Sequence, residues 1–233
     1  DKIIAISQQT AEDICELLHA DPAKIQVVYQ GCHPDFTRSI SNALMEQVKA
    51  KYGLPEDFIL NVGTIERRKN ALLVVRALAL LPADMKDIKL VIVGRGTDYL
   101  KEISAAIKIG KLDDRVQILH HVGFEDLPVI YRLAKLFVYP SLYEGFGIPL
   151  IEAITCGLPL ISSSRGSCFR EAAGPFSKYT DPDDPEALAF HMEEVFKNDD
   201  VRKTMTEGSS DFIRRFEPEV IANDIFSVYR RLV

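Results

Sequence analysis

At 233 residues, with 47% hydrophobic and 27% charged side chains, the chain has the size and balance of one ordinary globular α/β domain with a substantial core. A net charge of −6 argues against a general nucleic-acid binder, which needs a basic face. No apolar run reaches transmembrane length and no signal peptide precedes the first one, so the sequence predicts a cytoplasmic protein.

Taken in order, Ile3 to Ile6 reads as a short strand, and Ser7 is placed to cap a helix from Gln8 to His19. A strand at Ile25 to Tyr29 breaks at Gly31 and Pro34, and a helical pattern runs from Asn42 to Tyr52. From Phe58 onward strands and helices alternate. The strands are Phe58–Val62, Lys89–Val93, Arg115–Leu119, Leu136–Tyr139, Pro159–Ser162 and Phe176–Tyr179. The helices between them are Asn70–Leu81, Asp98–Ile109, Leu127–Ala134, Ile148–Cys156 and a short one near Phe169. Three more close the chain at Pro185–Lys197, Asp200–Arg214 and Pro218–Leu232. Nearly unbroken apolar strands are expected where helices cover both sheet faces. The fold class is therefore α/β, a doubly wound parallel sheet whose ligands bind at the carboxyl ends of the strands. Residues 1–31 stand apart as a strand-helix-strand piece. They are either an extra layer of the same sheet or a stub of a second domain, with 32–57 as connector and 58–233 as the main domain. Cys15, Cys32, Cys156 and Cys168 lack C-x-x-C spacing and are expected as buried small hydrophobes in a reducing compartment.

The stretch Tyr143–Gly157 organises the rest. A strand feeds a turn with Gly145 and Gly147, and a helix starts at Ile148; free N–H groups and the helix dipole then make a seat for phosphate. Glu144 and Glu152 flank that seat, and carboxylates, which only accept hydrogen bonds, suit sugar hydroxyls. A site for a sugar nucleotide follows. In the first strand-end loop, Arg67, Arg68 and Lys69 crowd a helix start, where the dipole disfavours cations; an anion binding there explains the arrangement better than a solvated basic turn. Gly94-Arg95-Gly96 reads as a tight strand-to-helix turn at least as readily as an anion site. His120 and His121 are adjacent, cannot easily face one site, and have no partner at ligand spacing, so no metal site is assigned.

These residues resemble a known family. Glu144-Gly-Phe-Gly-Ile-Pro-Leu-Ile-Glu152 is similar to the E-x7-E signature of retaining GT-B glycosyltransferases, called family 4 or group 1. The resemblance continues through Val62–Asn70, Leu90–Gly96, Val122–Phe124 and Gly166–Glu171 and covers nearly the whole chain. It implies the Rossmann-like donor half of a two-domain enzyme, with most of the acceptor domain absent and the final helix crossing back toward it. It further implies that Glu152 accepts from ribose hydroxyls, and that Glu144 lies by the transferred sugar. Backbone at Gly145, Phe146, Gly147 and Ile148 would meet sugar or phosphate oxygens. Lys69 and Arg68 would hold the diphosphate beside Gly63 and Thr64, and Val122, Gly123 and Phe124 would meet the base through their backbone. Many members carry Arg where this chain has Thr64; in members with an Arg-Lys-Asn run like this one, Arg68 would supply that second cation. No metal or other cofactor is implied, the nucleotide sugar being a substrate. GDP-mannose is the first-choice donor, a glycan or lipid-linked molecule the acceptor, and peripheral membrane association of a full-length enzyme is left open. The alternatives are a nucleotide-sugar epimerase of related fold and a non-catalytic binding module.

Overall fold

The computed structural model describes residues 1–232. A small unit comes first: strand β1 (Ile3–Ala5), helix α1 (Gln8–Leu18) and strand β2 (Ile25–Val27), with β1 and β2 paired in parallel. This pair is a separate two-stranded sheet, not an added layer of the main one. Ser7 caps α1 as expected, its side chain accepting from the Thr10 amide.

Helix α2 (Asn42–Tyr52) leads into the main domain. Its strands are β3 (Phe58–Val62), β4 (Lys89–Val93), β5 (Val116–Leu119), β6 (Leu136–Tyr139), β7 (Leu160–Ser163) and β8 (Lys178–Thr180). They form one six-stranded sheet in the order β5-β4-β3-β6-β7-β8, and every pairing is parallel. The crossovers are α3 (Ala71–Leu80), α4 (Leu100–Ile109), α5 (Leu127–Leu133), α6 (Ile148–Thr155) and α7 (Ser167–Ala173). Helices α8 (Pro185–Lys197), α9 (Asp199–Phe212) and α10 (Pro218–Arg230) complete the chain.

Successive strand residues point to opposite faces, and both faces are buried. Phe58, Leu60, Phe137 and Tyr139 pack toward α5, α6 and α7, while Ile59, Leu90, Ile92 and Val138 pack toward α3, α4 and α8. That two-sided burial is why the strands read as continuous apolar runs. The chain winds outward from β3 to β5, then returns to lay β6 against the other edge of β3, so the winding reverses between β3 and β6. In an open parallel sheet this reversal opens a crevice at the carboxyl ends of the two strands. The ladder shows it opening: β3 pairs with β4 over five residues but with β6 over only Ile59↔Leu136 and Leu60↔Phe137. Past that point the buried Asn61 side chain donates to the Val138 carbonyl at 2.8 Å, replacing the next ladder bond.

Three expectations change. Only Cys168 is fully buried; Cys15, Cys32 and Cys156 are half-buried, and all four are free thiols. Arg67–Lys69 is a 3-10 turn rather than the start of α3. The segment after Phe212 is also 3-10, over Ile213–Phe216, so α9 stops short of Arg214.

Candidate functional site

At the β3 end, the loop turns through Gly63, whose φ of 145° lies in the region that favours glycine. Gly94 packs directly on it: a Cβ there would lie 1.8 Å from the Gly63 carbonyl oxygen. The Gly94-Arg95-Gly96 turn is thus explained by close packing of two strand ends. Asn70 adopts the left-handed conformation, and its side-chain Nδ2 donates to the carbonyls of Pro140 and Pro182 at 3.2 and 2.7 Å, tying this loop to the β6 and β8 ends.

Of the three consecutive cations, two converge. Arg67 turns away, pairs with Glu102 at 2.5 Å and lies over the Tyr99 ring. Lys69 and Arg68 both meet Glu144, at 2.6 and 2.8 Å. Arg68 also pairs with Glu66 at 2.7 Å and donates to the Tyr143 carbonyl at 2.9 Å. The third donor to Glu144 is the Tyr139 hydroxyl, at 2.9 Å, which in turn accepts from Lys69 Nζ at 2.5 Å. Burial alone would raise the pKa of Glu144, but the Lys69 hydrogen bond, both cations and Tyr139 outweigh it and hold the carboxyl below its usual range. Burial and the adjacent Glu144 push the Tyr139 phenol up, so it stays a donor. Instead of standing open for hydroxyls, Glu144 is here a fully engaged counter-ion.

Between these groups and α6 lies the glycine turn. Gly147, at φ 103°, is the N-cap of α6, and a Cβ there would lie 2.9 Å from Leu150. A glycine cap offers no side chain to the helix start, and none of the Gly145, Phe146, Gly147 or Ile148 amides finds an acceptor among the described residues. The Phe146 ring is 2% exposed, stacked on Tyr29 at 5.5 Å and edge-on to Phe216 at 5.6 Å, so only its backbone faces the rim.

Glu152, on the second turn of α6, has a different setting. Its one partner among the described residues is Tyr131, which donates at 2.8 Å. Burial raises the Glu152 pKa, and the Tyr131 hydrogen bond offsets this only in part. That contact holds the carboxylate beside α5, the helix that follows the Val122–Phe124 loop. In this loop Gly123 departs from expectation: its amide already donates to the Tyr52 hydroxyl at 3.1 Å, which donates on to Asp126 at 2.8 Å. Val122 and Phe124 remain free of such ties, and Phe124 is 49% exposed.

The loops that carry Lys69, the Val122–Phe124 segment and Glu144 follow β3, β5 and β6, and in a parallel sheet those strand ends share the carboxyl rim. Glu152 lies about one turn into α6 from the bare amides, on the side tied to α5 through Tyr131. At about 4.8 Å per strand, β5 and β6 lie about 14 Å apart, room for an extended ligand laid along that rim. The hydroxyls of Tyr131 and Tyr139 were not singled out from sequence. Their signal was present, since Tyr139 is the last residue of a strand that ends at the rim.

Residues 45–211 match the family described as glycosyl transferases, group 1. The chain belongs to this family. A relative from Escherichia coli, named O-antigen chain mannosyltransferase B, is 30% identical over 236 residues, covering 99% of this chain and 60% of its own length. Among solved structures, this group 1 glycosyl transferase chain superposes on Anabaena HepE in complex with UDP and glucose with a TM-score of 0.88 at 20% identity, over 99% of this chain and 63% of that one. Sucrose-phosphate synthase from Thermosynechococcus elongatus gives a TM-score of 0.83 at 26% identity, over 100% of this chain and 58% of that one. The group 1 chain thus spans about 60% of the length of such relatives. The fold is the Rossmann-like α/β sheet of GT-B glycosyltransferases. No helix among the described residues is long and apolar enough to cross a membrane.

Proposed function

We propose that this chain is the donor-binding part of a retaining hexosyltransferase that takes a nucleotide diphosphate sugar, with mannose as the sugar, and passes it to a glycan or lipid-linked acceptor held by a further domain. The observation that carries the reading is the cluster of Lys69, Arg68 and Glu144 set at the β3/β6 crevice against four unpaired amides of a helix start. The E. coli relatives named mannosyltransferases, at 30 and 31% identity, support mannose; the UDP held by the Anabaena neighbour supports a nucleoside diphosphate without choosing its base.

The geometry gives each residue a task. An incoming diphosphate, at two or more negative charges, competes with the single carboxylate of Glu144 for Lys69 and Arg68. Once it wins, Glu144 is released toward the sugar hydroxyls, still steadied by Tyr139. When the bond between the anomeric carbon and the phosphate oxygen breaks, its electron pair stays on that oxygen. Lys69, Arg68 and the α6 amides already face the developing charge, and such preorganised donors stabilise the transition state more than the ground state. Glu152 and the Val122–Phe124 loop hold the nucleoside. The same cations and amides supply the charge compensation for which a metal is otherwise used. This chain by itself is expected to bind donor and to show no turnover.

Calorimetry with GDP-mannose, UDP-glucose, the free diphosphates and the nucleosides tests the proposal. Lys69→Ala is expected to weaken every diphosphate-bearing ligand by roughly 10- to 100-fold while sparing the nucleoside, as loss of a charge-assisted contact predicts. Equal losses for nucleoside and diphosphate would remove Lys69 from its assigned role, and no binding of any sugar nucleotide would end the proposal.

A further inference from the structure

Helix α1 and the glycine turn are held together although Ser7 and Gly145 lie 138 positions apart. The Ser7 hydroxyl, wholly buried, donates to the Gly145 carbonyl oxygen at 2.5 Å, and the Thr10 hydroxyl donates to the same oxygen at 2.9 Å. Tyr143, two residues before it, donates to Asp13 of α1 at 2.5 Å. From the other side, α7 fastens the start of α1. The Glu171 carboxylate accepts from the Gln8 and Gln9 amides at 2.7 and 3.4 Å, so it satisfies two unpaired donors and faces the positive end of the helix. Gln9 returns the contact, its side-chain oxygen accepting from the Cys168 amide in the first turn of α7 at 3.3 Å. Two helix starts cap each other, and the turn is gripped beside them.

The grip has a directional consequence. The Gly145 carbonyl and the Phe146 N–H belong to one peptide plane, and in a trans peptide they point in opposite directions. Two hydroxyls holding the oxygen toward α1 therefore aim the Phe146 amide away from α1, and that amide is one of those with no acceptor. We infer that residues 3–29 are a working part of the donor site: α1, anchored by Glu171, sets the direction of the Phe146 amide, which makes Glu171 a positioning residue for the sugar diphosphate. The identity of the ligand that this amide meets rests on the function proposed above; the mechanical coupling does not.

Amide hydrogen exchange on the ligand-free chain, with calorimetry in parallel, separates the two. Glu171→Ala is expected to speed exchange at least tenfold both at Gln8 to Ala11 and at Leu150, whose amide donates to the Gly147 carbonyl at 2.9 Å and so reports on the turn. It is also expected to weaken GDP-mannose or UDP-glucose several-fold while leaving nucleoside affinity unchanged. Glu171→Gln, which keeps a carbonyl acceptor, is expected to recover part of both effects. Thr10→Val removes one donor to Gly145 without touching Glu171, and is expected to loosen the turn while Gln8 and Gln9 stay protected. Faster exchange in α1 with an unchanged turn would overturn the inference, as would an equal loss of nucleoside and sugar-nucleotide binding. If the wild-type chain binds no sugar nucleotide, the functional reading fails, and the exchange result still decides the coupling.

Discussion

Glu144 and Glu152 bracket one short segment, yet their surroundings push them in opposite directions. Glu144 sits among two cations and a phenol, and its pKa falls. Glu152 sits in apolar packing with one phenol, and its pKa rises. The first stabilises the fold when ionised; the second is destabilised by the same ionisation. One of them is a structural counter-ion, engaged by Lys69, Arg68 and Tyr139. The other accepts one hydrogen bond among the described residues, from Tyr131. Under the function proposed above, the ribose would meet the less satisfied carboxylate, and the diphosphate would compete with Glu144 for its cations.

The same substitution at the two positions tests this contrast. Glu144→Gln leaves Lys69 and Arg68 facing each other without their carboxylate, and is expected to cost about 3 kcal/mol of stability at pH 7, read by chemical denaturation. Because the folded pKa of Glu144 is depressed, its contribution is present above the unfolded value of 4.5 and is lost as pH falls through the folded one. The gap between wild type and Glu144→Gln should therefore close in acid. Next in size is the binding loss for Lys69→Ala, roughly 10- to 100-fold for diphosphate ligands only.

Glu152→Gln should act with the opposite sign on stability. A carboxyl whose folded pKa lies above its unfolded 4.5 binds protons more readily in the folded state, so stability declines as pH rises across that interval. Removing its charge is expected to raise Tm at pH 7 by about 2–4 °C, for a gain of about 1 kcal/mol, with no gain below pH 4.5. The same variant should bind nucleoside and sugar nucleotide alike about tenfold more weakly, as expected for losing a charged acceptor. A destabilised Glu152→Gln would contradict the contrast. The smallest effect belongs to Tyr139→Phe. It takes one donor from Glu144 and is expected to cost about 1 kcal/mol, and to move the acid loss of stability to higher pH. That shift should vanish in the double variant with Glu144→Gln.

Much of this arrangement was legible in the residue order. The strands Phe58–Val62, Lys89–Val93 and Leu136–Tyr139 are where their apolar runs and glycine ends place them, because two-sided burial leaves an unmistakable local pattern. Gly147 was readable as a helix-start glycine, and Lys69 and Glu144 as residues of strand-end loops that share an edge. Other features were not readable. Arg67, Arg68 and Lys69 are chemically alike in sequence; only the 3-10 turn decides that Arg67 goes to Glu102 and the other two to Glu144. Gly123 reads as a free backbone donor until Tyr52, 71 residues earlier, is seen to occupy it. The small first unit offered no local clue that its helix grips the Gly145 turn.

By itself, then, the order of residues determined the alternation of strands and helices, the parallel sheet and the rim on which the chemistry gathers, since burial and turn geometry act over a few neighbouring positions. Which cation meets which carboxylate, why two glutamates of one motif titrate apart, and how residues near the start hold a turn near position 145 emerged only from the folded chain. Those are contacts across a sheet edge between distant segments. Their strength depends on distance and burial, which no local pattern encodes.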